Sequence, residues 1–167
     1  MASLFFSSFE VTRQCFYRTS SAYAIVNIKP ITLGHVLVIP TRKVLRLADL
    51  NDAELASLMS SVQRVGNVVE RAYGASALTI ACQDGKAAGQ SIPHVHFHII
   101  PRKTVGDRFS NNDDIYPVLE RAEGSLNSDL QQTTSQSTLK VDADENRKPR
   151  TEVEMEEEAT WLRSFFV

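Results

Sequence analysis

Two cysteines in 167 residues are too few for a disulfide framework. Cys15 and Cys82 both sit in apolar runs and read as small buried hydrophobes, which fits a cytosolic or nuclear setting with reduced thiols. No apolar run approaches the ~20 residues of a membrane span. Met1–Phe6 lacks a basic region and a long apolar stretch, so no secretory signal is expected. Charge of one sign is also missing: the formal net charge is -2, which argues against general affinity for nucleic acid or an anionic membrane. What remains is ordinary globular material, 43% apolar and 23% charged, enough for one domain with a core. Histidine is scarce too. Of four in the chain, three fall within five consecutive positions.

Those positions lie in His94-Val95-His96-Phe97-His98-Ile99-Ile100. Strand side chains repeat every two residues. An extended run therefore puts His94, His96 and His98 on one face and Val95, Phe97 and Ile99 on the other. A core strand has no need of imidazoles, and a solvated one would more cheaply carry Lys, Thr or Glu. One face reads as chemistry and the other as core.

Around this run, Cys15–Arg18 fits a short strand. Ala22–Ile28 and Gly34–Ile39 are strands stopped by Pro30 and Pro40, and Ser76–Gln83 is another. Asn51 with Glu54 resembles a capping box. It opens a helix whose stripe is Leu55, Leu58, Met59, Val62, Val65 and Val69, with Gly74 as C-cap. From Glu120 to Arg150 polar residues dominate, and the stretch 104–150 reads as a flexible polar loop. Thr151 with Glu154 is a second capping box. It opens a C-terminal helix over 151–167, expected to dock on the body or a partner subunit through Trp161, Leu162 and Phe165. The class is α+β: about five short, mainly antiparallel strands, one long helix and a C-terminal helix.

Two chemistries suit the imidazoles. Histidines two apart on a strand can hold zinc. All three on one ion is harder, because the outer pair lie about 13 Å apart at Cα; a pair plus His35 stays open. The other chemistry is nucleophilic. A neutral imidazole attacks phosphorus, and His96 would be the attacking group between two positioning rings. An unperturbed histidine titrates near about pH 6.5, so the neutral form is available. Gly85 and Gly89 permit close backbone approach to an anion, although a plain hairpin explains them as well. Gln83 and Gln90 are neutral donors for phosphate oxygens. Asn27 suits a ribose hydroxyl or a backbone partner. Ile25 and Leu37 suit an apolar slot or plain core.

Taken together, these residues resemble the histidine triad family. His94-Val95-His96-Phe97-His98-Ile99 matches its alternating motif. Lys29-Pro30, Gly34–Pro40, Gln63–Gly66, Gln83-Asp84-Gly85, Ala88-Gly89-Gln90 and Pro101-Arg102 are similar to its fragile histidine triad branch. The resemblance implies a catalytic domain over 1–103. It implies hydrolysis of diadenosine polyphosphates, mainly diadenosine triphosphate to AMP and ADP. His96 would be the nucleophile, forming a nucleotidyl-histidine; His98 would contact phosphate near the leaving oxygen, and His94 and His35 would orient the triad. It further implies substrate contacts from Asn27, Gln83, Gly89, Gln90, Ser91, Ile92 and His98, and a homodimer with one continuous sheet. A divalent cation, Mg or Mn, would accompany the substrate phosphates, with no metal held by the triad.

Two other readings compete. One is a nucleoside phosphoramidase of the sister branch, against which Gln90 stands where a serine is expected. The other is a nucleotide-dependent signalling protein whose output is the polar segment and Tyr116. The segment Asp114-Ile115-Tyr116 resembles one that carries a phosphorylatable tyrosine in animal relatives, although Tyr116 also reads as a plain loop aromatic.

Overall fold

A computed structural model describes residues 2–134 and 148–166. Its strands are β1 (Phe5–Phe6), β2 (Phe9–Glu10), β3 (Cys15–Arg18), β4 (Ala22–Val26), β5 (Val36–Pro40), β6 (Ala77–Ala81) and β7 (Phe97–Arg102). Its α-helices are α1 (Asp52–Tyr73), α2 (Ile115–Thr134) and α3 (Glu152–Arg163). β1 and β2 form a small hairpin; the other five strands make one sheet in the order β3-β4-β5-β7-β6. Every pairing is antiparallel. The α+β reading holds.

The register decides what each face carries. Ile25 pairs Leu37, Leu37 pairs His98, and His98 pairs Ala81, so these four share a face. Val38 pairs Phe97, and Val36 pairs Ile99, which pairs Ile80, on the opposite face. α1 covers that second face. Its N-cap Asn51 accepts from the Glu54 amide at 2.9 Å, the Glu54 carboxylate accepts from the Asn51 amide at 3.0 Å, and Gly74 closes the helix in the left-handed conformation. Leu58, Val62, Val65 and Val69 are buried as the stripe demands, but Leu55 and Met59 are exposed. Gly66 allows the helix close to the sheet: a Cβ there would lie 2.7 Å from Leu78 Cδ1.

α3 packs against β3, where the Arg163 guanidinium donates to the Cys15 carbonyl at 2.7 and 3.0 Å. Met155, Ala159 and Leu162 are fully buried. Of the three expected anchors only Leu162 is in the core. Trp161 is 44% exposed and lies edge-on to Tyr73 at 5.3 Å. Cys15 is buried, whereas Cys82 is only half-buried.

The largest departure is at 104–150. Instead of a loop throughout, residues 115–134 form α2, which covers the sheet face bearing His98. Ile115, Val118 and Leu119 pack on Ile31 and Ile100, while Leu126 and Leu130 reach the main core. The helical stripe runs through the polar composition and offsets its ordering cost. The expected loop over 135–147 lies outside the described residues. Tyr116 sits on α2, 53% exposed. No helix is long and apolar enough to cross a membrane among the described residues.

Candidate active site

The histidine run is not one regular strand. β7 begins at Phe97, so only His98 sits in the ladder. His94 and His96 lie in the approach to it, and the expected common strand face is corrected accordingly. The rings are still neighbours: His96 and His98 centroids are 5.2 Å apart, and His35 and His98 are also 5.2 Å apart. Phe6 of β1 sits between His94 and His96, at 5.8 and 5.0 Å. All four histidines are buried.

Hydrogen bonds to the main chain fix where the ring protons lie. The Ile31 amide donates to His35 Nδ1 at 3.0 Å. That nitrogen is bare, so His35 Nε2 carries the proton and donates to His98 Nδ1 at 3.0 Å. His98 Nε2 must then carry the proton of its own ring. Likewise the Ser7 amide donates to His94 Nδ1 at 3.0 Å, and His94 Nε2 donates to the Pro40 carbonyl at 2.8 Å. His94 is therefore spent on the scaffold and gives phosphate no donor, contrary to its expected place as a flanking ring. Its carbonyl instead accepts from His96 Nδ1 at 2.8 Å. This leaves His96 Nε2 as the nitrogen that bears the lone pair of the neutral ring. Burial pushes the His94 imidazole down to about 4. It also lowers His98, despite the opposing hydrogen bond to Glu123.

Glu123, on α2, is the residue that sequence reasoning missed. It is fully buried. Its Oε2 lies 2.9 Å from His96 Nε2 and 3.0 Å from His98 Nε2. Its Oε1 accepts from the Ser91 amide at 3.0 Å and the Ser91 hydroxyl at 3.2 Å. Burial pushes this carboxyl up, but the hydrogen bonds from His96 and His98 outweigh it and hold the group below the usual carboxylate range. One proton joins Glu123 Oε2 to His96 Nε2 across this contact. The sequence did contain a signal. Ile115, Val118, Leu119, Ala122, Leu126 and Leu130 recur at helical spacing, and Glu123 falls inside that stripe, four residues after Leu119.

The other expected contacts divide. Gln83 is close enough to Gly89 that a Cβ there would meet its Nε2 at 2.9 Å; Gly89 also takes φ +92°. Gln83 Oε1 is buried without a partner. Gln90 does not face a ligand: its Oε1 accepts from the Gly85 amide at 2.8 Å, and its Nε2 donates to the Leu45 and Ile92 carbonyls at 3.0 and 2.9 Å. It ties the loop together, so its expected role as a phosphate donor is corrected to loop positioning. Ile92 is fully buried. The Asn27 carbonyl oxygen Oδ1 accepts from the Lys29 amide at 3.2 Å, and its amide nitrogen lies 3.2 Å from His35 Nε2. Ile25 and Leu37 are core residues, 1% exposed each.

A metal reading meets an obstacle. His96, His98 and Glu123 bring potential ligand atoms within 4.8 Å of one another. A ligand nitrogen must be bare, and His98 Nε2 is protonated because its other nitrogen accepts from His35. His35 cannot take that proton over while Ile31 donates to it, and it is a hydrogen-bond partner of His98 in its own right. The residues do not fit an ion held jointly by these rings.

The arrangement defines a class: an α+β protein with one candidate nucleophilic imidazole, a second ring presenting N–H to the same point, and an anion seated between them. Residues 8–105 match the HIT domain model, and the chain belongs to the HIT domain family. It is 49% identical to the asymmetrical bis(5'-nucleosyl)-tetraphosphatase of Schizosaccharomyces pombe, over 98% of this chain and 94% of that protein. It is 43% identical to the bifunctional bis(5'-adenosyl)-triphosphatase/adenylylsulfatase FHIT of Arabidopsis thaliana, over 92% and 78%. Among solved structures, the NitFhit protein of C. elegans matches with TM-score 0.71 and 34% identity, covering 99% of this chain and 30% of that one.

Proposed function

We propose that this chain is a dinucleoside polyphosphate hydrolase acting through His96. The observation that carries this is the proton map. The His94 carbonyl holds His96 by Nδ1, so the free lone pair is on Nε2. The Nε2–H of His98 and the Ser91 amide and hydroxyl converge on the same point. Such a cluster suits a phosphoryl group under attack. His96 Nε2 bonds to the α-phosphorus of diadenosine triphosphate, the bridging P–O bond breaks, and ADP departs with His98 donating to the leaving oxygen. Water then breaks the P–N bond, AMP leaves, and the neutral ring returns. A tetraphosphate passes through the same steps and yields AMP and ATP; the names of the relatives support both chain lengths.

His35 fixes the tautomer of His98, His94 orients His96, Gln90 shapes the loop, and Gln83 with Gly89 borders the phosphate path. Asn27 and Ile92 stand beside these groups. A divalent cation, Mg or Mn, would ride on the substrate phosphates, which carry the charge to hold it. The homodimer expected from the family has support in the edges of the sheet. β3 is covered by α3, whereas the β6 edge carries exposed Ala77 and Ile80, and an open apolar edge invites a second copy. The free thiols Cys15 and Cys82 suit a cytosolic or nuclear setting.

The test is incubation with dinucleotide labelled on the adenosine, a rapid acid-free quench, and mass spectrometry of the His96 peptide. Adenylylated His96 is expected. Turnover without label on that ring would refute the mechanism. Rates on triphosphate and tetraphosphate measured side by side set the chain-length preference.

A further inference from the structure

Four groups converge on the Glu123 carboxylate: the Ser91 amide and hydroxyl on one oxygen, and the Nε2 atoms of His96 and His98 on the other. They are the groups that the proposed reaction would aim at two phosphoryl oxygens and the phosphorus. Glu123 is buried, and so is His96 at 2% exposure. An open depression of about 480 Å³ lies away from them, beside Arg102 and Asp107, at the opposite end of the β6–β7 pairing from His98.

We infer that Glu123 is an internal ligand that occupies the phosphate position, so that α2 closes the active site and nucleotide binds only in competition with it. This rests on the functional reading above. A carboxylate and a phosphoryl group cannot share these donors, so the turn of α2 around Glu123 must withdraw before substrate enters. The closed contact also engages His96 Nε2 at 2.9 Å, so that nitrogen cannot reach phosphorus. Apparent affinity is then the intrinsic affinity multiplied by the open fraction.

The helix has a weak point where this requires one. Gly124 follows Glu123 inside α2, and a Cβ there would meet nothing within 4 Å. No packing demands glycine. An interior glycine costs a helix stability without any contact being involved, which favours opening at this turn.

The experiment measures AMP binding by calorimetry, with amide exchange across residues 115–134, in the full chain. Glu123→Ala removes the internal ligand and should tighten AMP binding about tenfold or more, since hydrogen bonds to a charged group are lost only from the closed state. Gly124→Ala touches nothing in the site and strengthens the helix. It should weaken AMP binding by about four- to fivefold while slowing amide exchange over 115–134. AMP should speed exchange around Glu123 in the unsubstituted chain. If Glu123→Ala fails to fold, Gly124→Ala decides alone. AMP that binds equally to all variants, or leaves exchange in α2 unchanged, overturns the proposal. Absence of AMP binding in every variant, together with absence of adenylylated His96, removes the functional reading and this inference with it.

Discussion

α1 and α2 are of similar length, 22 and 20 residues, and cover opposite faces of one sheet. They do so by different means. α1 buries Leu58, Val62, Val65 and Val69 at 2% exposure or less. Its one buried polar side chain, Ser61, donates back to the Ser57 carbonyl at 2.9 Å. Nothing in water replaces those apolar contacts, each worth about 1.5–3 kcal/mol. α2 also buries a leucine stripe, but its centre is Glu123 bound to imidazoles, and Asp129 is buried further along. Polar contacts of this kind have a substitute, because a phosphate can satisfy the same donors. The comparison separates a permanent wall of the fold from a cover whose central contact a ligand can take over.

The comparison can be broken most sharply at the proposed nucleophile, which belongs to neither helix. His96→Asn should lower turnover of diadenosine triphosphate by about 10⁴-fold or more, with the far-ultraviolet signature of both helices retained. Substantial residual activity would move the chemistry elsewhere. Next come matched leucines. Leu58→Ala on α1 should cost about 2–5 kcal/mol in urea unfolding. Leu126→Ala on α2 should cost less globally and appear first as faster amide exchange confined to 115–134. Equal global losses would mean that the two helices are equally built into the cooperative core.

Legibility in the sequence followed the same division. The capping boxes at Asn51 and Thr151, most of the stripe of α1 and the five strands of the main sheet were readable because each is a local pattern, whereas the two-residue strands β1 and β2 are too short to show one. The triad was readable for the same reason. Two larger features were not readable either. Composition outweighed periodicity at 115–134, since polar residues crowd the outer face of a helix whose inner face still repeats every three or four residues. The directions of the rings were also hidden. Alternation places His94 beside His96 on paper, but the Ser7 amide and the Pro40 carbonyl, both remote in sequence, turn His94 into scaffold. Glu123 could be read only by treating an acid within an apolar stripe as a buried group in need of partners.

The pH dependence of stability tests the scaffold role of His94. Its folded pKa is about 4, against an ordinary 6.5. The unfolded chain therefore binds more protons between those values, and stability rises with pH. The contribution is complete above about 6.5 and is lost as pH falls towards 4. Roughly 2 kcal/mol should disappear between pH 7 and pH 5 on this account. The lowered His98 acts in the same direction, whereas Glu123, with its folded pKa depressed, acts only below the ordinary carboxylate range. His94→Gln should remove the share due to His94 from urea-unfolding curves. An unchanged slope in that variant would mean that His94 is not the buried neutral base described above.

The smallest effect sharpens the comparison at the helix starts. Asn51 caps α1 reciprocally with Glu54, and Asn51→Ala should cost about 1 kcal/mol of global stability. Asn111 pairs with Asp114 in the turn that leads into α2, its amide and side-chain nitrogen each 3.3 Å from Asp114 Oδ2. If α2 opens apart from the body, Asn111→Ala changes the opening equilibrium and leaves global unfolding almost untouched. The result would be faster exchange over 115–134, and tighter AMP binding because the open fraction rises. The same substitution size at two helix starts should therefore appear in two different measurements. Should Asn111→Ala lower the global midpoint as much as Asn51→Ala and leave exchange over 115–134 unaltered, α2 would be as fixed a part of the fold as α1.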